Sequence, residues 1–270
     1  MKEIITSRDN QLARRARAVR EGRIAGQIFI EGLRLASEAA RASLSIESVL
    51  CTEKFANDER GARLFPLLGR ARERVSLVSE AVFASVSDTK SPQGIIILAA
   101  RPHTGRDALE QTSAELPLLV IMHQLNNPSN AGAILRTAEA ACATGALTTR
   151  GTTDIFSPKA LRGAMGSSFR LPLWIDAGFE EMIGWCKQHG IRIIGTDLRA
   201  KRTHTEIDWT RPCALLVGSE AAGLKDEEAA LTDERVRIPM RAPVESLNVT
   251  VATSVLLYEA ERQRAVRGKQ

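Results

Sequence analysis

The chain has 270 residues, 44% of them apolar, which allows one large or two smaller cored domains and argues against general disorder. The formal net charge is +5, with most of the surplus in the first hundred residues through Arg8, Arg14, Arg15, Arg17, Arg20 and Arg23, a stripe that suits phosphate better than mere solvation and favours nucleic acid as partner. The opening MKEIITSRDN lacks the apolar core of a secretion signal, no later run is long enough to span a bilayer, and the four scattered cysteines form no CxxC or Cys/His cluster, so a cytoplasmic protein with reduced thiols and no metal site is expected.

Taken in order, Arg8–Ala25 reads as a helix with a thin apolar stripe (Leu12, Ala16, Val19) and arginines over the rest. Gln27–Ile30 is a strand, Glu31–Gly32 a turn, Leu33–Ala42 an alanine-rich helix and Ser45–Cys51 a second strand. Asp58–Arg74 is broadly helical, with Pro66 expected to break or kink it. Val75–Val78 is a short strand, Glu80–Val86 a short helix, Ser91–Gly94 a turn and Ile95–Ala100 a buried strand. This alternation predicts an α/β layer domain over residues 1–100. Arg101–Glu115 is polar and aperiodic and reads as a linker (101–116), so the second domain runs from Pro117 to the end, 117–270.

In the second domain, Leu118–Met122 is a short apolar run expected to be a buried strand. Turn residues follow, then an alanine-rich helix to Ala143, with Asn130 or Ser129 as N-cap and Gly145 closing it. The six-residue step from Asn130 to Arg136 is read as pointing both side chains towards the carboxyl end of the strand, where open α/β sheets bind ligands. Further strands are expected at Ala146–Thr149, Leu171–Ile175, Ile191–Thr196, Cys213–Val217 and Val236–Pro239. Helices are expected at Ser157–Gly166, Phe179–His189, Asp226–Leu231 and Asn248–Val266, and polar loop at Thr196–Arg211. The last helix is apolar on more than one side (Val249, Val251, Ala252, Val255, Leu256, Tyr258), which makes it a natural subunit interface.

Three loops each follow a strand: Gln124–Asn130, Gly218–Leu224 and Pro239–Leu247. In a parallel sheet they share one edge. Gly218 and Gly223 permit close backbone approach to a ligand, and Glu220 is the acid between them. The third loop offers apolar surface and Ser246 with Asn248, which would otherwise be a helix cap and a first-turn residue. Neither G-x-G-x-x-G after a strand nor G-x-x-x-x-G-K-[ST] occurs, so a Rossmann dinucleotide site and a P-loop are excluded.

Together the loops resemble a known family. Asn127-Pro128-x-Asn130-x-Gly132-x-x-x-Arg136-x-Ala138, Gly218-x-Glu220-x-x-Gly223-Leu224, and Ile238-Pro239-Met240 with Glu245-Ser246-Leu247-Asn248-Val249-x-Val251-Ala252 look like the three motifs of the SpoU/TrmH family of RNA ribose 2′-O-methyltransferases, in the SPOUT superfamily. Ser157-Pro158-Lys159 and Gly166-Ser167 resemble the stretch between its first two motifs. Phe29-Ile30-Glu31-Gly32-x-Arg34-Leu35 with Glu38-Ala39 is similar, more loosely, to the ribosomal-protein-like substrate-binding domain that many members carry. Ala221 and Cys142 depart from the pattern, standing where Gly is frequent.

The resemblance implies a fold that periodicity does not show: a C-terminal parallel-sheet SPOUT domain with a deep trefoil knot, preceded by a smaller α/β RNA-binding domain. It implies S-adenosyl-L-methionine as cofactor, with Gly218, Gly223, Ile238, Met240 and Leu247 lining its pocket. It implies a homodimer through the C-terminal domain and RNA, foremost ribosomal RNA, as substrate, with neither DNA nor membrane as partner. Arg136 would assist the ribose hydroxyl, Asn130 would position it or the ribose, Ser246 and Asn248 would organise hydroxyl and cofactor, and Glu220 the second loop. Arg14, Arg15, Arg17, Arg20 and Arg34 would contact RNA. Transfer RNA as substrate, and a non-catalytic knotted ribosome-assembly factor, remain alternatives at this point.

Overall fold

The computed structural model describes residues 3–111 and 116–267. The described residues up to 102, with 155–170, form one compact unit; those between 103 and 154, with those from 171 onward, form the other.

The first unit begins with α1 (Gln11–Arg20), β1 (Gln27–Glu31), α2 (Leu33–Arg41), β2 (Ile46–Thr52), α3 (Glu53–Ala56), α4 (Glu59–Leu64), β3 (Val75–Val78), α5 (Glu80–Val86) and β4 (Ile95–Ala100). The strands form one sheet in the order β1-β4-β2-β3, with only the β2–β3 pair parallel. α1 is shorter than its sequence pattern suggests. It starts at Gln11 because the Asn10 side chain accepts the Leu12 N–H at 2.8 Å, and it stops at Arg20, after which Gly22 takes a positive φ. The stretch 58–74 is divided: α4 stops before Pro66, and 69–74 is a 3-10 segment. α1 and α5 bury Ala13, Ala16, Val19, Val82, Phe83 and Val86 against Phe29, Leu50, Ile96 and Leu98 of the sheet. That is why the thin apolar stripe of α1 suffices.

In the second unit come α6 (Arg106–Glu110), β5 (Leu118–Met122), α7 (Pro128–Ala140) and β6 (Gly145–Thr149). The chain then forms α8 (Pro158–Ala164), which groups with the first unit, and returns as β7 (Leu173–Ala177), α9 (Phe179–Gln188), β8 (Arg192–Thr196), β9 (Arg202–Thr203), β10 (Cys213–Val217), α10 (Asp226–Ala229), β11 (Glu234–Arg237) and α11 (Val249–Arg267). Seven strands lie in the order β7-β6-β5-β10-β8-β11-β9, every neighbouring pair parallel. β5, β6 and β10 are buried along their whole length; β5 and β10 are unbroken apolar runs, while β6 also buries Thr148 and Thr149.

Five local differences separate the structure from the sequence reading. The polar stretch after Arg101 contains α6, whose Leu109 is buried in the same core cluster as Leu119 and Trp185. α7 is capped by Asn127, which accepts the Ser129 N–H at 2.9 Å, with Pro128 in the first turn; Asn130 is therefore inside the helix, not its cap. That helix closes at Cys142, whose φ is 58°, while Gly145 opens β6. Polar residues 196–211 contain β9 and a 3-10 turn. α11 buries one stripe only, Thr253, Leu256, Leu257 and Ala260, and leaves Val251, Val255 and Tyr258 exposed. No helix among the described residues is long and apolar enough to cross a membrane.

Candidate active site

Parallel pairing brings the loops after β5, β10 and β11 to one edge of the seven-stranded sheet. The first two are direct neighbours, since β5 and β10 pair along their whole length and the His123 N–H continues the ladder to Val217 O at 2.9 Å.

Glu220 ties them together. Its carboxylate accepts the Asn126 N–H at 3.0 Å, the Asn127 N–H at 3.2 Å and the Asn130 Nδ2 at 3.2 Å. Partial burial pushes this carboxyl up, but the backbone N–H donors and the Asn130 amide outweigh it and hold its pKa below the usual value of 4.5. The loop carrying Glu220 is itself folded tightly. The Gly223 N–H returns to Ser219 O at 2.9 Å, the Ala222 N–H bonds Ser219 Oγ at 3.2 Å, and Gly223 has φ +65°. A Cβ on Gly218 would run into the carbonyl of Gly223 and sit 2.7 Å from the Leu224 nitrogen. The glycine is thus demanded by the loop's own backbone, whatever approaches from outside.

The third loop joins through Asn248. Its Oδ1 accepts the Thr250 N–H at 2.8 Å, capping α11, so its Nδ2 must face the other way. There it donates to Asn130 Oδ1 at 3.3 Å. Asn130 Oδ1 being occupied, Asn130 Nδ2 faces Glu220. The result is a hydrogen-bond chain of one polarity, running from the first N–H groups of α11 through two amides to a carboxylate. Thr250 Oγ1 adds long contacts of 3.4 Å to the Asn130 carbonyl and Oδ1. One helical repeat further on, Ser254 Oγ reaches Thr137 Oγ1 at 3.3 Å, so α7 and α11 lie together along this seam.

The structure therefore brings Asn130, Glu220 and Asn248 together. It leaves Arg136 and Ser246 exposed, and neither has a hydrogen-bond partner among the described residues. Asn130 lies within α7, so a step of six residues turns Arg136 about 120° around the helix, off the seam facing α11. The two side chains do not share a direction within this chain. Ile238 and Met240 are half-buried, while Leu247 and Val244 are 38% and 52% exposed. They give the third loop an apolar surface that is partly open to solvent.

A buried polar cluster beneath the loops escaped the sequence reading. His123 is 3% exposed, with Nε2 3.1 Å from Glu228 Oε1, Nδ1 3.0 Å from Thr149 Oγ1, and its ring 4.5 Å from that of Phe179. Burial raises the Glu228 carboxyl, yet the Lys225 N–H and His123 outweigh it and hold it below the usual 4.5. A histidine directly after an apolar strand was the only available signal. In the first unit, the α1 arginines are largely occupied internally. Arg15 pairs with Glu47, Arg14 Nε donates to Asp9 O, Arg17 to Ser85 Oγ and Arg8 O, and Arg20 to Val86 O and Ser87 O. Arg34 is exposed and has no such partner.

Comparison with known proteins places this geometry. Residues 117–258 match the SpoU rRNA Methylase family, and residues 11–97 match the MRM3-like substrate binding domain. An uncharacterized tRNA/rRNA methyltransferase of Synechocystis is 33% identical over 263 residues, covering 96% of this chain and 94% of its own. The 23S rRNA (guanosine(2553)-2′-O)-methyltransferase RlmP of Bacillus subtilis is 29% identical over 233 residues, 85% of this chain and 86% of its own. The SpoU methyltransferase AviRb of Streptomyces viridochromogenes, crystallised with AdoMet, superposes with a TM-score of 0.84 at 26% identity, over 95% of this chain and 98% of that one. With more than half of its length matched by the family and its three motif loops on one edge of a parallel sheet, the chain belongs to the SpoU rRNA methylase family.

Proposed function

We propose that the protein transfers a methyl group from S-adenosyl-L-methionine to a ribose 2′-hydroxyl of ribosomal RNA. The observation that carries this reading is the Asn248–Asn130–Glu220 chain, which locks all three family loops into one frame. The cofactor supplies an electrophilic methyl; Gly218, Gly223, Ile238, Met240 and Leu247 are the residues to hold it, through backbone groups and apolar surface. The relatives support ribosomal RNA, since RlmP and the RlmB enzymes are named for 23S rRNA ribose methylation.

A ribose hydroxyl is a poor nucleophile at neutral pH, so the site must align it and stabilise the charge it develops. A guanidinium stays protonated and cannot be the base. Arg136 instead fixes an RNA phosphate and stabilises the incipient alkoxide, with the proton leaving to phosphate or water. Its freedom from internal partners fits a group kept for substrate. Ser246, equally free, orients the hydroxyl. Asn130, Asn248 and Glu220 act one step back, as positioning residues, because their polar atoms are committed to each other.

The reading extends to the assembly. Val251, Val255 and Tyr258 recur at helical spacing along the exposed side of α11, and Val244 and Leu247 of the third loop are exposed apolar side chains too. We assign it to a homodimer interface, which would bring Arg136, turned away from its own seam, to the subunit boundary. The domain division at 101–116, the trefoil knot through the C-terminal loops and a cytoplasmic location belong to the same reading. The test is transfer of labelled methyl from the cofactor to unmodified 23S rRNA, followed by ribose-methylation mapping. One protected ribose position supports the proposal; label on a base, or none despite bound cofactor and RNA, refutes it.

A further inference from the structure

The first unit must hold RNA if the reading above is right, and the inference here rests on that reading while naming a surface. α1 is the most arginine-rich element, yet its guanidinium groups are committed to Glu47, to Ser85 and to carbonyls of α5 and its flank. A different region keeps its cations free. At the end of the sheet where β1 passes through Gly32 into α2, the loop 87–94 is pinned against the chain. Glu31, 6% exposed, accepts the Asp88 N–H at 2.8 Å and Thr89 Oγ1 at 2.8 Å, and Gln93 Oε1 accepts the Leu33 N–H at 2.9 Å. α8 joins them, since Arg162 Nη1 meets Asp88 Oδ2 at 2.7 Å and Arg170 pairs with Glu38 of α2.

Every acid of this region is therefore already paired. Glu31 is spent on the loop, Asp88 on Arg162, and Glu38 on Arg170 and Arg41. Three exposed cations remain on the same three segments: Arg34 in α2, one residue after the Leu33 that Gln93 caps; Lys90, two residues after Asp88; and Lys159, almost one helical turn before Arg162. None has a bonded partner among the described residues. A patch with its counter-charges neutralised and its cations free is positive towards solvent and fits a polyanion.

We propose that the RNA backbone is held on the first unit by Arg34, Lys90 and Lys159, and not by the arginine face of α1. Phosphate contacts release counterions, so each one steepens the fall of affinity with salt, by about 0.7–0.9 in the slope of log K against log salt. The experiment is filter retention of a 23S rRNA transcript by the full-length protein across a salt series, without cofactor. The variant Arg34→Ala/Lys90→Ala/Lys159→Ala is expected to show a slope shallower by about 2, and roughly tenfold to hundredfold weaker binding at low salt, with unchanged cofactor affinity. Arg14→Ala/Arg23→Ala, on and beside α1, is expected to keep the wild-type slope. An unchanged slope in the triple variant, or a loss confined to the α1 variant, overturns the surface but leaves RNA methylation standing. Wild-type protein that retains no RNA overturns both.

Discussion

The side-chain amide of Asn248 donates to Oδ1 of Asn130 at 3.3 Å, joining the head of α11 to the first turn of α7 across 118 positions of sequence. Because Asn248 is oriented by its cap and Asn130 by Glu220, this bond has only one direction. Its removal should be felt at the far end. Asn130→Ala leaves one Glu220 oxygen short of a donor and Asn248 Nδ2 unpaired; each lost hydrogen bond at a half-exposed site costs about 0.5–1.5 kcal/mol. A double-mutant cycle of Asn130→Ala and Asn248→Ala, read by denaturant unfolding, should give a coupling energy of at least about 0.5 kcal/mol. Full additivity would mean that the two amides do not act together.

Glu220 sets a pH dependence whose sign is fixed. Its carboxyl is held below the usual 4.5 in the folded protein, so the folded state binds this proton less readily than the unfolded chain. The stability it contributes is fully present above the unfolded pKa and is lost as pH falls through the folded one. The difference in unfolding midpoint between wild type and Glu220→Gln should therefore be constant from pH 7 down to about pH 5 and shrink towards zero in more acidic solution. A difference that grows on acidification would contradict the contacts described.

Gly218→Ala tests the tightness of the second loop. The added Cβ meets the Gly223 carbonyl and the Leu224 nitrogen, which are backbone and cannot swing aside. Overpacking of this kind costs about 1–3 kcal/mol, and the displaced loop should weaken cofactor binding as well. Calorimetric titration with S-adenosylmethionine beside a thermal melt measures both. A neutral result in both would show that the loop has slack.

Tyr258→Glu places a charge in the middle of the exposed apolar side of α11, where the residue is 51% exposed in the single chain. Sedimentation velocity should show wild type as a dimer and the variant as a folded monomer. A wild type that sediments as a monomer would remove α11 as an interface.

Much of this was visible in the chain before its structure. Cys213–Val217 and Ile95–Ala100 occupy the predicted residues because unbroken apolar runs are local signals; Glu80–Val86 also falls where expected, and the structure shows Ser79 as its cap. The family motifs put Asn130, Glu220 and Asn248 on three loops, and parallel pairing made the loops meet. What sequence could not show was partnership. Nothing local tells that Arg20 is taken by carbonyls 66 and 67 positions away, or that Leu109 in a polar stretch joins the same core cluster as Trp185. The cap of α7 is legible in the sequence, though at Asn127 and not at Asn130 or Ser129. Proline in a first turn argues for Asn127, the residue before it, and so places Asn130 inside the helix, about 120° around it from Arg136.

That divergence makes Arg136 the residue on which the mechanism turns. The most direct measurement is single-turnover methyl transfer to 23S rRNA by Arg136→Ala, with cofactor and RNA affinities determined on the same preparation. The account predicts methyl transfer slowed by at least about a hundredfold, a range typical for loss of a group stabilising developing charge, with cofactor affinity within a few-fold of wild type. Near-normal transfer, with the label still on ribose, would contradict it and move the catalytic role to another group at this edge.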